Sequence, residues 1–214
     1  IGSHCVGLDF LLGELQRQGF AVKSLYVGSS GGLAAARRSE CDVAGIHLLD
    51  SATGLYNRPF LGDDMLLLDG YQRMQGLVFR SDDSRFDVQS WEIALEKAID
   101  DASLRMVNRN AGSGTRVVID RLLDGARPPG FAMQVKSHNA VAAAIEQQRA
   151  DWGIGIAPVA DMYGLGFLPI QPEQYDLVIP LQRNQRPAVQ ALRALLDDPA
   201  IRDQLESLGF QSAN

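Results

Sequence analysis

Residues 21–46, AVKSLYVGSSGGLAAARRSECDVAGI, decide the fold. The first seven alternate like a strand, Gly28-Ser29-Ser30-Gly31-Gly32 makes a turn, residues 31–38 read as a short helix, and residues 42–46 as a buried strand. Working outward, Leu8, Leu11, Leu12 and Leu15 recur at helical spacing, and that run stops at Gln18-Gly19, where glycine suits a helix end. Ile1-Gly2 reads as the last step of a strand that leads straight into this helix. The order is then βαβαβ, which predicts a parallel sheet covered by helices. Because such an arrangement needs strand residues ahead of Ser3, the sequence reads as a fragment of a longer protein.

The second half uses the same grammar with different residues. Residues 76–79 are strand-like, Ser90 caps a helix over 91–99, and a strand at 104–107 feeds the turn Asn110-Ala111-Gly112-Ser113-Gly114-Thr115. A helix over 115–123, a strand at 131–135, a helix over 140–148 and strands at 152–156 and 165–170 follow. Residues 176–180 read as a separate return strand, and helices at 187–196 and 201–208 finish the chain. Residues 50–59 are a turn-rich loop in which Asp50 is by default a turn residue. This order predicts two α/β lobes, 1–72 with 176–214 and 73–175, joined by two crossings near 71–76 and 174–176 that act as a hinge. Ligands of open α/β sheets sit beyond the carboxyl ends of the strands, so the expected site is the cleft between the lobes.

Composition narrows the class. With 214 residues, 46% apolar and 21% charged, the chain can bury a sizeable core. A net charge of −6 argues against direct binding of nucleic acid or an anionic membrane surface, which rests on basic patches. No apolar stretch approaches the roughly 20 residues that span a bilayer. Cys5 and Cys41 have neither metal-ligand spacing nor a CxxC pair and read as buried small side chains, a disulfide or a redox role being the rival.

Four helix starts carry the chemistry: Gly2-Ser3-His4, the 28–32 turn, the 110–115 turn and Ser137-His138-Asn139. Small residues at helix N-termini leave backbone N–H groups and the positive end of the helix dipole free for a small anion. Each polar residue has a plainer role as well. Ser3, Ser29 and Ser137 serve equally as N-caps worth about 1 kcal/mol; Arg116 could pair with a surface carboxylate, and His4 and His138 merely follow capping residues. A hydrolase is the rival class, since 28–32 fits G-x-S-x-G with Ser30 as nucleophile and His138 as base. So short a pattern matches glycine-serine turns easily. No two of the three histidines have metal-ligand spacing, and no phosphate-binding GxxxxGK[ST] loop is present, so neither metal nor cofactor is expected.

The stretches SHCVGLDFLL (3–12), VGSSGGLAAARRSECDVAGIHLLD (27–50), NRNAGSGTR (108–116) and VKSHNAVAAAIEQQRADWGIGIAP (135–158) together resemble the periplasmic-binding-protein-like domain of bacterial molybdate-related regulators and molybdopterin-biosynthesis fusions. The chain is similar, more distantly, to the tungstate and molybdate receptors of ABC transporters. The resemblance covers nearly the whole chain and implies a type II periplasmic-binding-protein-like fold with an oxyanion between its lobes. It implies ligand contacts from Ser3 and His4, from Ser29, Ser30 and Gly31, from His47, from Arg109, Gly112, Ser113, Gly114, Thr115 and Arg116, and from Ser137 and His138. Arg109 and Thr115 match the receptor motif best. Arg109 would supply charge-assisted donors and the glycines would allow close backbone approach. For His47 a supporting role is as open as direct contact.

What the resemblance implies about function is a sensor rather than an enzyme. The favoured reading is the cytoplasmic effector domain of a regulator that binds molybdate or tungstate, with a DNA-binding helix-turn-helix elsewhere in the protein and a possible homodimer. The alternatives are a periplasmic receptor that meets a transporter permease, a sensor of a molybdenum-cofactor-like or other organic ligand, and a domain that has lost its ligand.

Overall fold

A computed structural model describes residues 1–212 and divides them between two compact units. Unit 1 comprises Ile1–Arg73 and the chain from Glu173 onward; unit 2 is Met74–Pro172. Two 16-residue strands, β2 (Met65–Arg80) and β6 (Leu165–Pro180), run from one unit into the other.

In unit 1, helix α1 (Val6–Arg17) buries Leu8, Leu11 and Leu15 against α7 (Pro187–Asp197), whose Val189, Leu192, Leu195 and Leu196 are buried in turn. A 12-residue helix is marginal alone, so this burial, roughly 1.5–3 kcal/mol per leucine, is what holds it. Helix α2 (Gly28–Arg37) is short and rich in alanine, which lets it lie close on β1 (Ala44–Ile46). Leu33, Ala35, Ala36, Ala44, Ile46, Met65 and Val178 form their shared core. β1 pairs antiparallel with β6, Ala44 opposite Val178 and Ile46 opposite Asp176. Helix α8 (Pro199–Ser207) starts at the Asp198 cap, and β7 (Gln211–Ser212) pairs with β2 at Tyr71 and Gln72.

Unit 2 is a sheet with helices on both faces. β2 pairs antiparallel with β5 (Trp152–Ile156), β5 parallel with β3 (Met106–Arg109), and β3 parallel with β4 (Gln134–Val135). Alternation along the strands sorts the core into two layers. Leu77, Phe79, Met106, Trp152 and Ile154 face the side packed by α3 (Trp91–Asp100) and α4 (Gly114–Leu123). Val78 and Val107 face α5 (His138–Glu146) and α6 (Ala157–Met162).

Three expectations need correction. Residues 21–27 do not form a strand. A ladder needs a partner, and only Gly2 reaches this run, as a single parallel bridge to Tyr26. Residues 21–26 instead line a cavity of about 420 Å³ with Leu8, Leu12, Leu15, Val43 and Leu192, while the side chains of Leu25, Tyr26 and Val27 are largely exposed. The strand expected at 76–79 begins eleven residues earlier, at Met65. The segments 165–170 and 176–180 are one strand, continuous through Pro172, Glu173 and Gln174. In both cases polar residues inside the strand conceal it: Arg73 and Gln75 of β2 and Glu173 of β6 are buried, and they bond to residues of the neighbouring strand.

Elsewhere the expected helices stand within a few residues. The loop at 50–59 is a turn in which the Asp50 carboxylate accepts the N–H groups of Ala52 and Thr53. Cys5 and Cys41 are buried free thiols. Among the described residues no helix is long and apolar enough to cross a membrane, and no group of His, Cys, Asp or Glu could hold a metal ion.

Candidate functional site

Unit 2 brings Arg109 to the junction of two helix starts. β3 ends at Arg109, beside Val135 of β4, so the chains leaving both strands emerge together and enter α4 and α5. The turn after β3 needs Gly112, whose φ of +84° disfavours a side chain. Ser113 then caps α4 by accepting the N–H of Arg116 at 3.1 Å, and Ser137 caps α5 by accepting that of Ala140, also at 3.1 Å. The Arg109 side chain is 3% exposed. Its Nη1 lies 3.5 Å from Thr115 Oγ1 and 3.3 Å from His138 Nε2, and its Nη2 donates to the Lys136 carbonyl at 3.2 Å. A guanidinium can only donate, so in this contact His138 Nε2 is the acceptor. Arg116 turns back: its Nη1 donates to the Arg109 carbonyl, its Nε to Asp120, and its guanidinium lies over the Phe131 ring. Gly114 is the first residue of α4.

Unit 1 builds a second polar cluster from five segments. Ser3 precedes α1, Ser29 stands in the first turn of α2, His47 follows β1, and Glu173 and Arg73 lie on β6 and β2. Ser3 Oγ and His47 Nε2 are 2.8 Å apart, and His47 Nδ1 is 2.6 Å from Glu173 Oε1. Arg73 Nε donates to Glu173 Oε2 at 2.6 Å. The His47 backbone N–H donates to Ser29 Oγ at 3.1 Å. All five side chains are buried. Burial pushes the Glu173 carboxyl up, but Arg73 and His47 outweigh it and hold the group at about 2. For Arg73, burial opposes the charge and Glu173 more than restores it, leaving the guanidinium above its ordinary value. Tyr175 stacks on Tyr71, with ring centroids 5.3 Å apart, and burial raises both phenols well above their usual range.

The backbone here is crowded to the limit. Gly2 donates to the Leu25 carbonyl and accepts from Val27 and Gly28, and Ser3 donates to the Gly45 carbonyl. A Cβ on Gly2 would come within 2.6 Å of the Gly45 backbone, and one on Gly45 would collide with the Tyr175 hydroxyl. That hydroxyl donates to the Ser3 carbonyl at 2.5 Å.

Of the residues expected to bind a ligand, the structure therefore brings together Arg109, Thr115 and His138 in unit 2, with Ser113 and Ser137 as caps beside them. In unit 1 it brings together Ser3, Ser29 and His47. His4 stands apart, hydrogen-bonded to Asp9 at 2.8 Å and edge-on to Tyr26. Burial opposes ionisation of Asp9, but hydrogen bonds from His4 and Tyr26 lower its pKa overall. Ser30 is exposed on α2, and Gly31 packs against Val27. His138, the base of the hydrolase reading, has its Nε2 in contact with the Arg109 guanidinium. Sequence reasoning missed Arg73, Glu173 and Tyr175. The available signal was Arg73 and Glu173 themselves, opposite charges inside runs whose other residues are strand-like.

Comparison with known proteins agrees with this architecture. The sequence matches the PBP superfamily domain over residues 12–197. The uncharacterized protein YvgK of Bacillus subtilis is 31% identical over 198 residues; the match takes in 87% of this chain but 62% of YvgK, so the chain spans less than two thirds of that relative. Among solved structures, the tungstate ABC transporter from Geobacter sulfurreducens is similar with a TM-score of 0.66 and 15% identity, over 96% of both chains. The regulatory domain of MetR, a LysR-family regulator from N. meningitidis, is similar with a TM-score of 0.63 and 10% identity, over 100% of this chain and 96% of that one. At these identities the structural likenesses are of fold alone, and the fold is the type II periplasmic-binding-protein-like one. With the superfamily domain matched over most of its length, and with helix N-termini gathered beyond the strand ends in each unit, the chain belongs to the PBP superfamily.

Proposed function

We propose that this chain binds a small tetrahedral oxyanion, molybdate or tungstate, through the helix N-termini that its units gather, and that it is the effector domain of a regulator. The observation that carries this reading is the buried Arg109 guanidinium, held at the starts of α4 and α5 beside the Thr115 hydroxyl. Charge-assisted guanidinium donors, a hydroxyl and two helix dipoles make a donor set suited to an anion that brings only acceptors. The cap geometry adds to it. Ser113 and Ser137 accept backbone N–H groups, which leaves their hydroxyl protons to donate elsewhere. Similarity to a tungstate transporter structure and to the regulatory domain of a LysR-family regulator supports both halves of the reading.

Isothermal titration of the dialysed protein with molybdate, tungstate, sulfate and phosphate tests it. Saturable binding of molybdate and tungstate, with sulfate and phosphate much weaker, is the expected result. No heat with any of the four refutes the oxyanion assignment and favours an organic ligand. If the chain instead serves as a transporter receptor, a protein that carries it will show no ligand-dependent change in DNA binding.

A further inference from the structure

We propose that the cavity of about 420 Å³ in unit 1 is a strand slot, and that its occupant is an extended stretch of four residues covalently continuous with Ile1. The proposal does not depend on which ligand the chain binds.

Ile1, Gly2 and Ser3 already lie between two neighbours as a strand would. On one side the Ile1 nitrogen donates to the Val43 carbonyl at 3.1 Å and the Ser3 N–H to the Gly45 carbonyl at 2.9 Å. On the other, the Gly2 N–H donates to the Leu25 carbonyl at 3.0 Å, and the Gly2 carbonyl accepts from Val27 at 2.9 Å. Bonds that alternate sides in this way, stepping two residues along each neighbour, are those of a central strand parallel to both. The Ile1 nitrogen thus makes the bond that a peptide N–H makes in a ladder. One step further back the pattern meets the cavity, walled by residues 21–25 on one side and 40–43 on the other. Among the described residues, 21–24 have no strand partner.

The register fixes the occupant's length. With Gly2 bridged to Tyr26, Ile1 lies level with Leu25, and four residues ahead of it lie level with Ser24 back to Ala21. That is about 13 Å of strand at roughly 3.3 Å per residue. Alternation fixes its polarity. Ile1 packs with Leu33, Ala36 and Ile46 on the α2 side, so the first and third residues ahead of it face the opposite side. There Leu8, Leu12 and Leu15 of α1 and Val189 and Leu192 of α7 line the cavity, so those two positions take apolar side chains. In this register the N–H groups of Lys23 and Leu25 donate to the third and first residues ahead, and that of Val43 to the second. The slot runs without a step into Ile1. A continuation of the same chain enters it without giving up the translational freedom that a separate peptide would lose.

Extending the chain at Ile1 by Thr-Val-Thr-Val, with valine first and third ahead of Ile1, tests this against an extension by Gly-Ser-Gly-Ser. Amide exchange at neutral pH, followed by NMR, is the readout. With Thr-Val-Thr-Val alone, exchange should slow at least about tenfold at Lys23, Leu25 and Val43, while Val22 and Ser24, whose N–H groups point away from the new strand, stay fast. The thermal midpoint should rise as well. If that chain does not fold, an extension by Thr-Val should slow Leu25 and Val43 and leave Lys23 fast. Equal exchange in the two extended chains overturns the proposal, as does slowing at Val22 and Ser24 in place of Lys23 and Leu25. Lys23 and Leu25 already slow in the unextended chain would mean a closed slot and overturn it too. Slowing in the unextended chain that grows with its own concentration, or with added acetyl-Thr-Val-Thr-Val-amide, would give the slot to a second copy or to a separate peptide and overturn the covalent assignment.

Discussion

Replacing Glu173 by Gln keeps the shape of the side chain, removes its charge and turns one of its two acceptor oxygens into an NH2 donor, so that it can no longer accept from both His47 and Arg73. Arg73 would then stand in the core opposite a neutral amide, with both side chains at no more than 1% exposure. Breaking a buried ion pair by neutralising one partner costs about 3–5 kcal/mol, because the charge left behind is uncompensated. For a chain of 214 residues, an unfolding entropy of about 2.1 cal/mol/K per residue gives roughly 0.45 kcal/mol/K, so the midpoint should fall by about 7–11 °C. Thermal melts by circular dichroism, paired with urea titrations, measure this. Combining Arg73→Met with Glu173→Gln removes both charges and should recover much of the loss, a coupling that a double-mutant cycle isolates. A midpoint shift under about 2 °C for Glu173→Gln, or a double variant worse than the sum of its parts, would refute the reasoning that the pair is a mutually dependent unit.

Other outcomes follow from the same geometry. Arg109→Ala should weaken molybdate binding by at least about 2 kcal/mol, the scale of losing a buried charged donor, whereas a change under about 0.5 kcal/mol in the titration would remove Arg109 from the site. Gly45→Ala sets a methyl group against the Tyr175 hydroxyl; expect a loss of about 1–3 kcal/mol in urea unfolding, and a neutral result would mean that the contact relaxes. The folded-state pKa of Glu173 is depressed from 4.5 to about 2, so its contribution to stability is present above pH 4.5 and lost as pH falls from there toward 2. Urea midpoints taken down this range should decline, and the decline should be shallower in Glu173→Gln.

Reading the sequence succeeded where pattern and packing coincide. Leu8, Leu11 and Leu15 announce α1, and the cap Ser137 with Val141 and Ile145 announces α5, because each periodic face is also the buried face. It failed where a strand is held by ionic pairs instead of alternation. Arg73 and Glu173 look like surface residues to any rule based on polarity, yet they neutralise one another across adjacent strands 100 residues apart in sequence. It failed again at residues 21–27, which have the alternation of a strand but lack a neighbour along most of their length. Among the candidate site residues, the turns at helix starts pointed to Thr115, His138, Ser3 and Ser29, and the family resemblance to Arg109 and His47. The support behind His47 was invisible, because it comes from a residue 126 positions away.

The 21–27 run, joined only by its one bridge to Gly2, has a bearing on how the protein behaves at high concentration. Leu25, Tyr26 and Val27 present greasy side chains beside backbone that belongs to no ladder, the kind of edge on which copies of a chain stick to one another. What keeps molecules apart is mutual repulsion from a net charge of −6, and it vanishes near the sequence isoelectric point of 5.0. Turbidity should therefore peak close to that pH. A solution carried down the acid series passes through its colloidal minimum before Glu173 begins to take up a proton.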